Sequence, residues 1–224
     1  MPPSANGRGT SKRRPDRFSK QLREATRLPN CRLFLVVPAG VAPEPARQMV
    51  DKALSAGDIA FVLLSSGPEQ LETAKLLKPL SHAHDTALLL EGAAHAVRSA
   101  GADGLHIQAS SHAYAEARAL LGKDAIIGAD CQNSRHLAMT MGELGADYIA
   151  FSGLLPAKAG SIIGWWASLF ELPSVALDPA GEEDARVFIA EGADFIRPAD
   201  TMWRDAESAA AAVRSFNSFI GENS

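Results

Sequence analysis

Gly101-Ala102-Asp103-Gly104-Leu105-His106-Ile107 decides the fold, because it ends one helix and begins one strand within seven residues. Glycine suits the left-handed position that closes a helix, and a short turn then feeds an apolar strand. The same signature recurs at Gly145-Ala146-Asp147 before Tyr148-Ile149-Ala150-Phe151, and at Gly192-Ala193-Asp194 before Phe195-Ile196. The copies lie 44 and 47 residues apart, room for two helix–strand units of about 20 to 25 residues each. Ala125-Ile126-Ile127-Gly128 and Ser174-Val175-Ala176-Leu177 fall midway in the two intervals and supply the strands between.

Earlier in the chain, Leu33-Phe34-Leu35-Val36-Val37 and Ile59-Ala60-Phe61-Val62-Leu63-Leu64 are continuous apolar runs, as expected of parallel strands covered on both faces. Thr86 to Leu90 is a third strand. The pattern predicts helices over Pro43–Ala56, Pro68–Lys78 and Ala93–Ala100, then from about Ser111, Asn133, Gly164, Glu182 and Asp205. Eight strands, each followed by a helix, imply an α/β fold of the (β/α)8 TIM-barrel type. An open doubly wound sheet is the alternative, but no Gly-x-Gly-x-x-Gly follows the first strand.

The chain's 224 residues fit one such barrel over 31–224, preceded by an arm over 1–30. That arm holds eight Lys or Arg against Asp16 and Glu24, so it carries +6 and leaves −10 on the remainder of a chain whose net charge is −4. Its prolines and glycines and its sparse apolar surface predict a largely disordered segment, with Phe18 to Arg27 a short helix docking on the barrel base. Lacking interleaved aromatics, it reads as a solvated or self-docking tail before a nucleic-acid binder, although its Arg-rich composition also matches a transit peptide. No apolar run approaches the roughly 18 residues of a membrane span, and Cys31 and Cys131 make neither a disulfide framework nor a metal spacing. The expectation is a cytoplasmic protein that binds a small molecule, with no membrane partner and a second copy of the chain as a candidate partner.

In a barrel, chemistry gathers at the C-terminal ends of the strands. The rim then comprises Ser65, Ser66, Glu91, His106, Gln108, Asp130, Ser152, Gly153, Asp178 and Asp200, with Lys158 in the loop after strand six. His106 offers an acid, base or ligand, or else a hydrogen bond to a neighbouring strand. Glu91, Asp130 and Asp178 could hold a divalent cation through oxygen ligands, or Asp130 and Asp178 could cap the helices that follow them. Trp165 and Trp166 cannot share one helix face, so one is expected in the core and the other at a dimer contact or ligand wall.

The runs "LLLEGAAHAVRSAGADGLHIQ", "IIGADCQNSRHLAMTMGELGADYIAFSGLLPAK" and "GADFIRPAD" resemble the thiamine phosphate synthase family and its thiazole tautomerase relatives, over about residues 32–219. That resemblance implies a TIM barrel joining a pyrimidine diphosphate to a thiazole phosphate with Mg2+. It also marks departures. The family's Gln-x-Arg-x-Lys run falls on Leu63-Leu64-Ser65-Ser66-Gly67, its Asn-Asp pair on Glu91-Gly92, and its later Asp on Ser111. Its Ser after strand five falls on Asp130, and its Thr-x-Thr-Lys loop near Ala157-Lys158-Ala159-Gly160. Its Gly-Gly turn falls on Asp178-Pro179 and its Ser-Ala-Ile cradle on Asp200-Thr201-Met202. These replacements lead us to expect a divergent member whose diphosphate and Mg2+ site is largely lost and whose mouth is acidic, with Lys158 as its nearby cation. A non-catalytic binding or regulatory protein, and a genuine thiamine phosphate synthase with substituted ligands, are the alternatives.

Overall fold

A computed structural model describes residues 31–152, 161–177, 179 and 181–222. Residues 1–30, Gly153, Lys158 and Asp178 lie outside them. Eight parallel strands close in sequence order: β1 Arg32–Val37, β2 Ile59–Leu64, β3 Ala87–Glu91, β4 Gly104–Gln108, β5 Ile126–Asp130, β6 Tyr148–Phe151, β7 Ser174–Ala176 and β8 Phe195–Ile196. Closure is made by β8 against β1, where Leu33 pairs with Ile196. The described helices are α1 Pro43–Ala56, α2 Gln70–Ala83, α3 Ala94–Ala100, α4 Ser111–Leu121, α5 Arg135–Leu144, α6 Ile162–Leu169, α7 Glu182–Ala190 and α8 Ala206–Glu222, with a 3₁₀ turn at Asp200–Met202.

The strands bury both faces, which is why β1 and β2 lack polar alternation. Phe34, Phe61, Leu89, Tyr148, Val175 and Phe195 fill the lumen. Leu35, Val62, Leu88, Ile127, Ile149 and Ile196 face the helices. Gly101 and Gly145 close α3 and α5 in the left-handed region, at φ 66° and 90°. The second helix starts later and runs further than expected, to Ala83 with Pro79 inside it. The fifth begins at Arg135, where the Ser134 hydroxyl accepts from the Leu137 N–H; Asp130 therefore does not cap it, contrary to one reading of the sequence.

The aspartates of the repeated signature do structural work at the barrel base. Leu88 N–H donates to Asp103 Oδ2, Ile127 N–H to Asp147 Oδ2 and Ser174 N–H to Asp194 Oδ2, each at 2.8 Å. In the first two pairs the aspartate's own N–H returns a bond to the carbonyl of the same residue, Leu88 or Ile127. Each carboxylate satisfies an amide at the start of the preceding strand, which would otherwise be buried without an acceptor. Three of the four strand pairs that begin with an odd-numbered strand are joined this way. The fourth, β1–β2, uses Asp58 just before β2, which takes Nε and Nη2 of Arg32 at 2.6 and 2.7 Å.

Asp147→Ala removes the acceptor of Ile127 N–H and the partner of Arg118 Nη2, 2.6 Å away. It should lower unfolding free energy by about 2–3 kcal/mol, with Asp147→Asn milder because an oxygen acceptor survives. Urea unfolding of the three proteins checks this; equal stability of Asp147→Ala and wild type would remove the bridge from the account.

Candidate active site at the barrel mouth

Alternation along each strand decides what faces the mouth. Ala87 and Leu89 lie in the lumen, so Glu91 follows them inward; Ile126 brings Gly128 and Asp130, and Tyr148 and Ala150 bring Ser152. His106 and Gln108 extend β4 between these groups, with Glu91 paired in register to His106 and Gln108 to Asp130. Val36, Leu63 and Leu177 give the opposite side of the mouth an apolar wall. The structure thus brings together five of the expected site residues, Glu91, His106, Gln108, Asp130 and Ser152, on the β3–β6 side.

Asp130 is buried and firmly held. Its Oδ1 accepts from Gln132 N–H at 2.8 Å, the Ser152 hydroxyl lies 2.8 and 2.9 Å from its two oxygens, and Gln108 Nε2 donates to Oδ2 at 3.2 Å. Gln132 adopts φ 52° to complete this turn. Glu91 is tied less tightly: Oε2 accepts from Ser66 N–H at 3.2 Å, while its carbonyl accepts from the Ser66 hydroxyl and Gln70 Nε2.

Beneath the carboxylates lies an aromatic floor. His106 Nδ1 is 2.7 Å from the Tyr148 hydroxyl, and the two rings stack at 5.8 Å with 16° between planes. Phe34 meets both rings, and Phe61 and Phe195 continue the layer. Tyr148 reaches His106 only because residue 128 is glycine: a Cβ there would sit 1.9 Å from Tyr148 Cζ. Burial lowers the His106 pKa more strongly than the charges of Asp130 and Glu91 raise it, so the imidazole is neutral near pH 7. The same burial holds the Tyr148 phenol well above its ordinary range, and pushes the Cys131 thiol to about 12. Cys131 is therefore an inert packing group.

One cation at the mouth was missed by sequence reasoning. Phe195 faces the lumen and Ile196 the helices, so Arg197 turns inward at the end of β8. Its Nη2 donates to the Asp200 carboxylate. Of the expected acidic rim, Asp200 is paired with Arg197, a cation that the expectation lacked, while Lys158 lies outside the described residues. The period-two alternation from Phe195 was the signal that could have revealed Arg197. Neither tryptophan stands exposed. Trp166 is buried with Nε1 donating to the Leu172 carbonyl at 2.7 Å, and Trp165 is partly covered by the Arg135 guanidinium 4.6 Å from its ring centre.

Among the described residues, no three His, Cys, Asp or Glu side chains are placed together to hold a metal; of the expected trio, Asp178 lies outside them. Mg2+ is commonly held by one or two carboxylates together with substrate phosphates and water. Asp130 takes three protein donors, whereas Glu91 takes one, on Oε2. The donor set therefore fits a Mg2+ that arrives with a phosphorylated substrate and is touched by Glu91.

The thiamine monophosphate synthase family profile matches residues 33–197. The chain belongs to that family. The thiamine-phosphate synthase of Rhodospirillum centenum is 36% identical over 200 residues, which cover 84% of this chain and 97% of that protein. That of Hyphomonas neptunium is 36% identical over 209 residues, covering 86% and 95%. Among solved structures, thiamine phosphate pyrophosphorylase from Pyrococcus furiosus shares the fold with a TM-score of 0.69 at 22% identity, over 84% of this chain and 96% of that one. Among the described residues, no helix is long and apolar enough to cross a membrane.

The lowered His106 pKa has a pH signature. A group whose folded pKa lies below its unfolded value contributes stability above the unfolded value and loses it as pH falls through the folded one. Stability of the wild type should therefore fall as pH drops below the ordinary histidine value of 6.5, and less steeply in His106→Gln. Thermal unfolding across this range measures both slopes; identical slopes would contradict a buried neutral imidazole.

Proposed function

We propose that this chain is a thiamine-phosphate synthase that transfers the pyrimidine group from its diphosphate to a thiazole phosphate and releases diphosphate. The observation that carries this is the 36% identity to the Rhodospirillum centenum synthase across 97% of that protein's length. The comparisons favour this retained reaction over the divergent, site-lost reading that the replaced motifs suggested.

The mouth is chemically suited to the step. As diphosphate leaves with the bonding electrons, positive charge develops on the pyrimidine. Carboxylates held in place beforehand, such as Asp130, stabilise that charge without reorganising as it forms. His106, being neutral, adds no opposing charge, and its stack with Tyr148 gives a planar ring a flat apolar surface. Glu91 would touch Mg2+, which when bound supplies neutralisation of the departing diphosphate. The wall of Val36, Leu63 and Leu177 excludes water from the side opposite the carboxylates.

Purified protein incubated with the aminopyrimidine diphosphate, the thiazole phosphate and Mg2+ should form thiamine phosphate and free diphosphate in equal amounts, followed by mass spectrometry and phosphate release. Asp130→Ala should lower kcat by about a hundredfold. Binding of both substrates without any product would overturn the proposal in favour of a non-catalytic barrel.

A further inference from the structure

We propose that Arg197 is the anion-recognition residue of the mouth and that Asp200 is its resident counter-ion, displaced when a phosphorylated ligand enters. The identity of that ligand rests on the coupling reaction proposed above; the binding itself does not.

The cation and its partner are held very differently. Arg197 N–H extends the β7–β8 ladder to the Ala176 carbonyl at 3.0 Å, which fixes its backbone. Its side chain is 16% exposed, and Nη1 lies 3.4 Å from the Leu177 carbonyl. Asp200, three residues on in the 3₁₀ turn, has a side chain 56% exposed. The guanidinium is thus anchored in the barrel wall, whereas the carboxylate reaches it from solvent. An ion pair with one exposed member is weak, because water and salt compete for the anion. A phosphate dianion offers more charge and a geometry that matches the planar fork in two parallel hydrogen bonds, so it is the stronger partner.

Position agrees with this. Among the described side chains that top the strands and face inward, Arg197 is the one cation, set across the mouth from Glu91 and Asp130. The residues flanking Asp200 in sequence, Pro198, Ala199 and Thr201, line a groove of about 650 Å3 that also takes Arg204. Neither Arg197 nor Asp200 lines that groove, which lies between α7 and α8, so the phosphoryl site assigned here is the barrel mouth itself. An ion pair serving only to staple the loop would not need an inward-facing arginine anchored in the barrel wall.

Calorimetric titration with inorganic phosphate and with inorganic diphosphate, without metal and at fixed ionic strength, tests this on the full chain. Asp200→Asn removes the competing charge at nearly constant shape and should tighten binding about fivefold, while Arg197→Gln should weaken it at least about tenfold and Arg197→Lys by less. Tighter binding in Asp200→Asn cannot come from a damaged fold, so it separates recognition from stapling. Unchanged binding in Arg197→Gln, or weaker binding in Asp200→Asn, would overturn the proposal. These titrations need no turnover: the expected affinities in a protein that forms no thiamine phosphate would uphold this assignment and sink only the reaction.

Discussion

A carboxylate at the foot of every second strand holds this barrel in register. Asp58, Asp103, Asp147 and Asp194 stand immediately before β2, β4, β6 and β8, and each reaches back to the strand before it. A parallel strand that starts ahead of its neighbour leaves an amide with no ladder partner, and the aspartate supplies one at the depth where water does not. The barrel is therefore built from four two-strand units, and its closure follows from the same device: Arg32 N–H bonds the Asp194 carbonyl at 3.0 Å, tying β1 to β8. Charge balance differs between units. Asp103 has Lys78 and His82, and Asp147 has Arg118, whereas Asp194 relies on Ser174 and burial raises its pKa. The unit with this costliest carboxylate is also the one with the shortest strands, β7 and β8, and it carries Arg197 at its upper end.

This device made the fold legible. Three Gly-Ala-Asp copies marked the ends of α3, α5 and α7, and the strand starts inferred from them fall within a residue or so of those observed. The fourth member, Gly57-Asp58, lacks the alanine and so does not repeat the signature, yet it ties β2 to β1 with a side chain in place of an amide. Helix starts were less certain where two capping residues competed: Ser134, not Asp130 or Asn133, sets the start of α5.

The mouth was legible in part. Which residues face it follows from strand alternation, and Glu91, His106, Asp130 and Ser152 were visible that way. What those residues do was not. The contact between Tyr148 and Gly128 is a volume match between register partners on the adjacent strands β5 and β6, 20 residues apart in sequence, which no local pattern encodes. It sets the tilt of the phenol, and thereby the hydrogen-bond partner of His106. Arg197 stands one residue beyond the two-residue strand β8, too short a run for alternation to mark it plainly, and Asp200, expected as a rim ligand, is its counter-ion. With the arginine in place, the mouth combines a carboxylate side, an apolar wall and an anchored cation, an arrangement suited to a substrate that is cationic at one end as it reacts and anionic at the other.

The coupling proposed above would take place in this mouth, over the His106–Tyr148 floor. A crystal structure of the protein grown with thiamine phosphate and diphosphate tests it most directly. The pyrimidine ring should lie above His106 and Tyr148, its charged side toward Asp130, with a phosphoryl group within hydrogen-bond distance of Arg197 and Asp200 turned away. Product bound only in the groove between α7 and α8, with the strand ends unchanged, would contradict that placement.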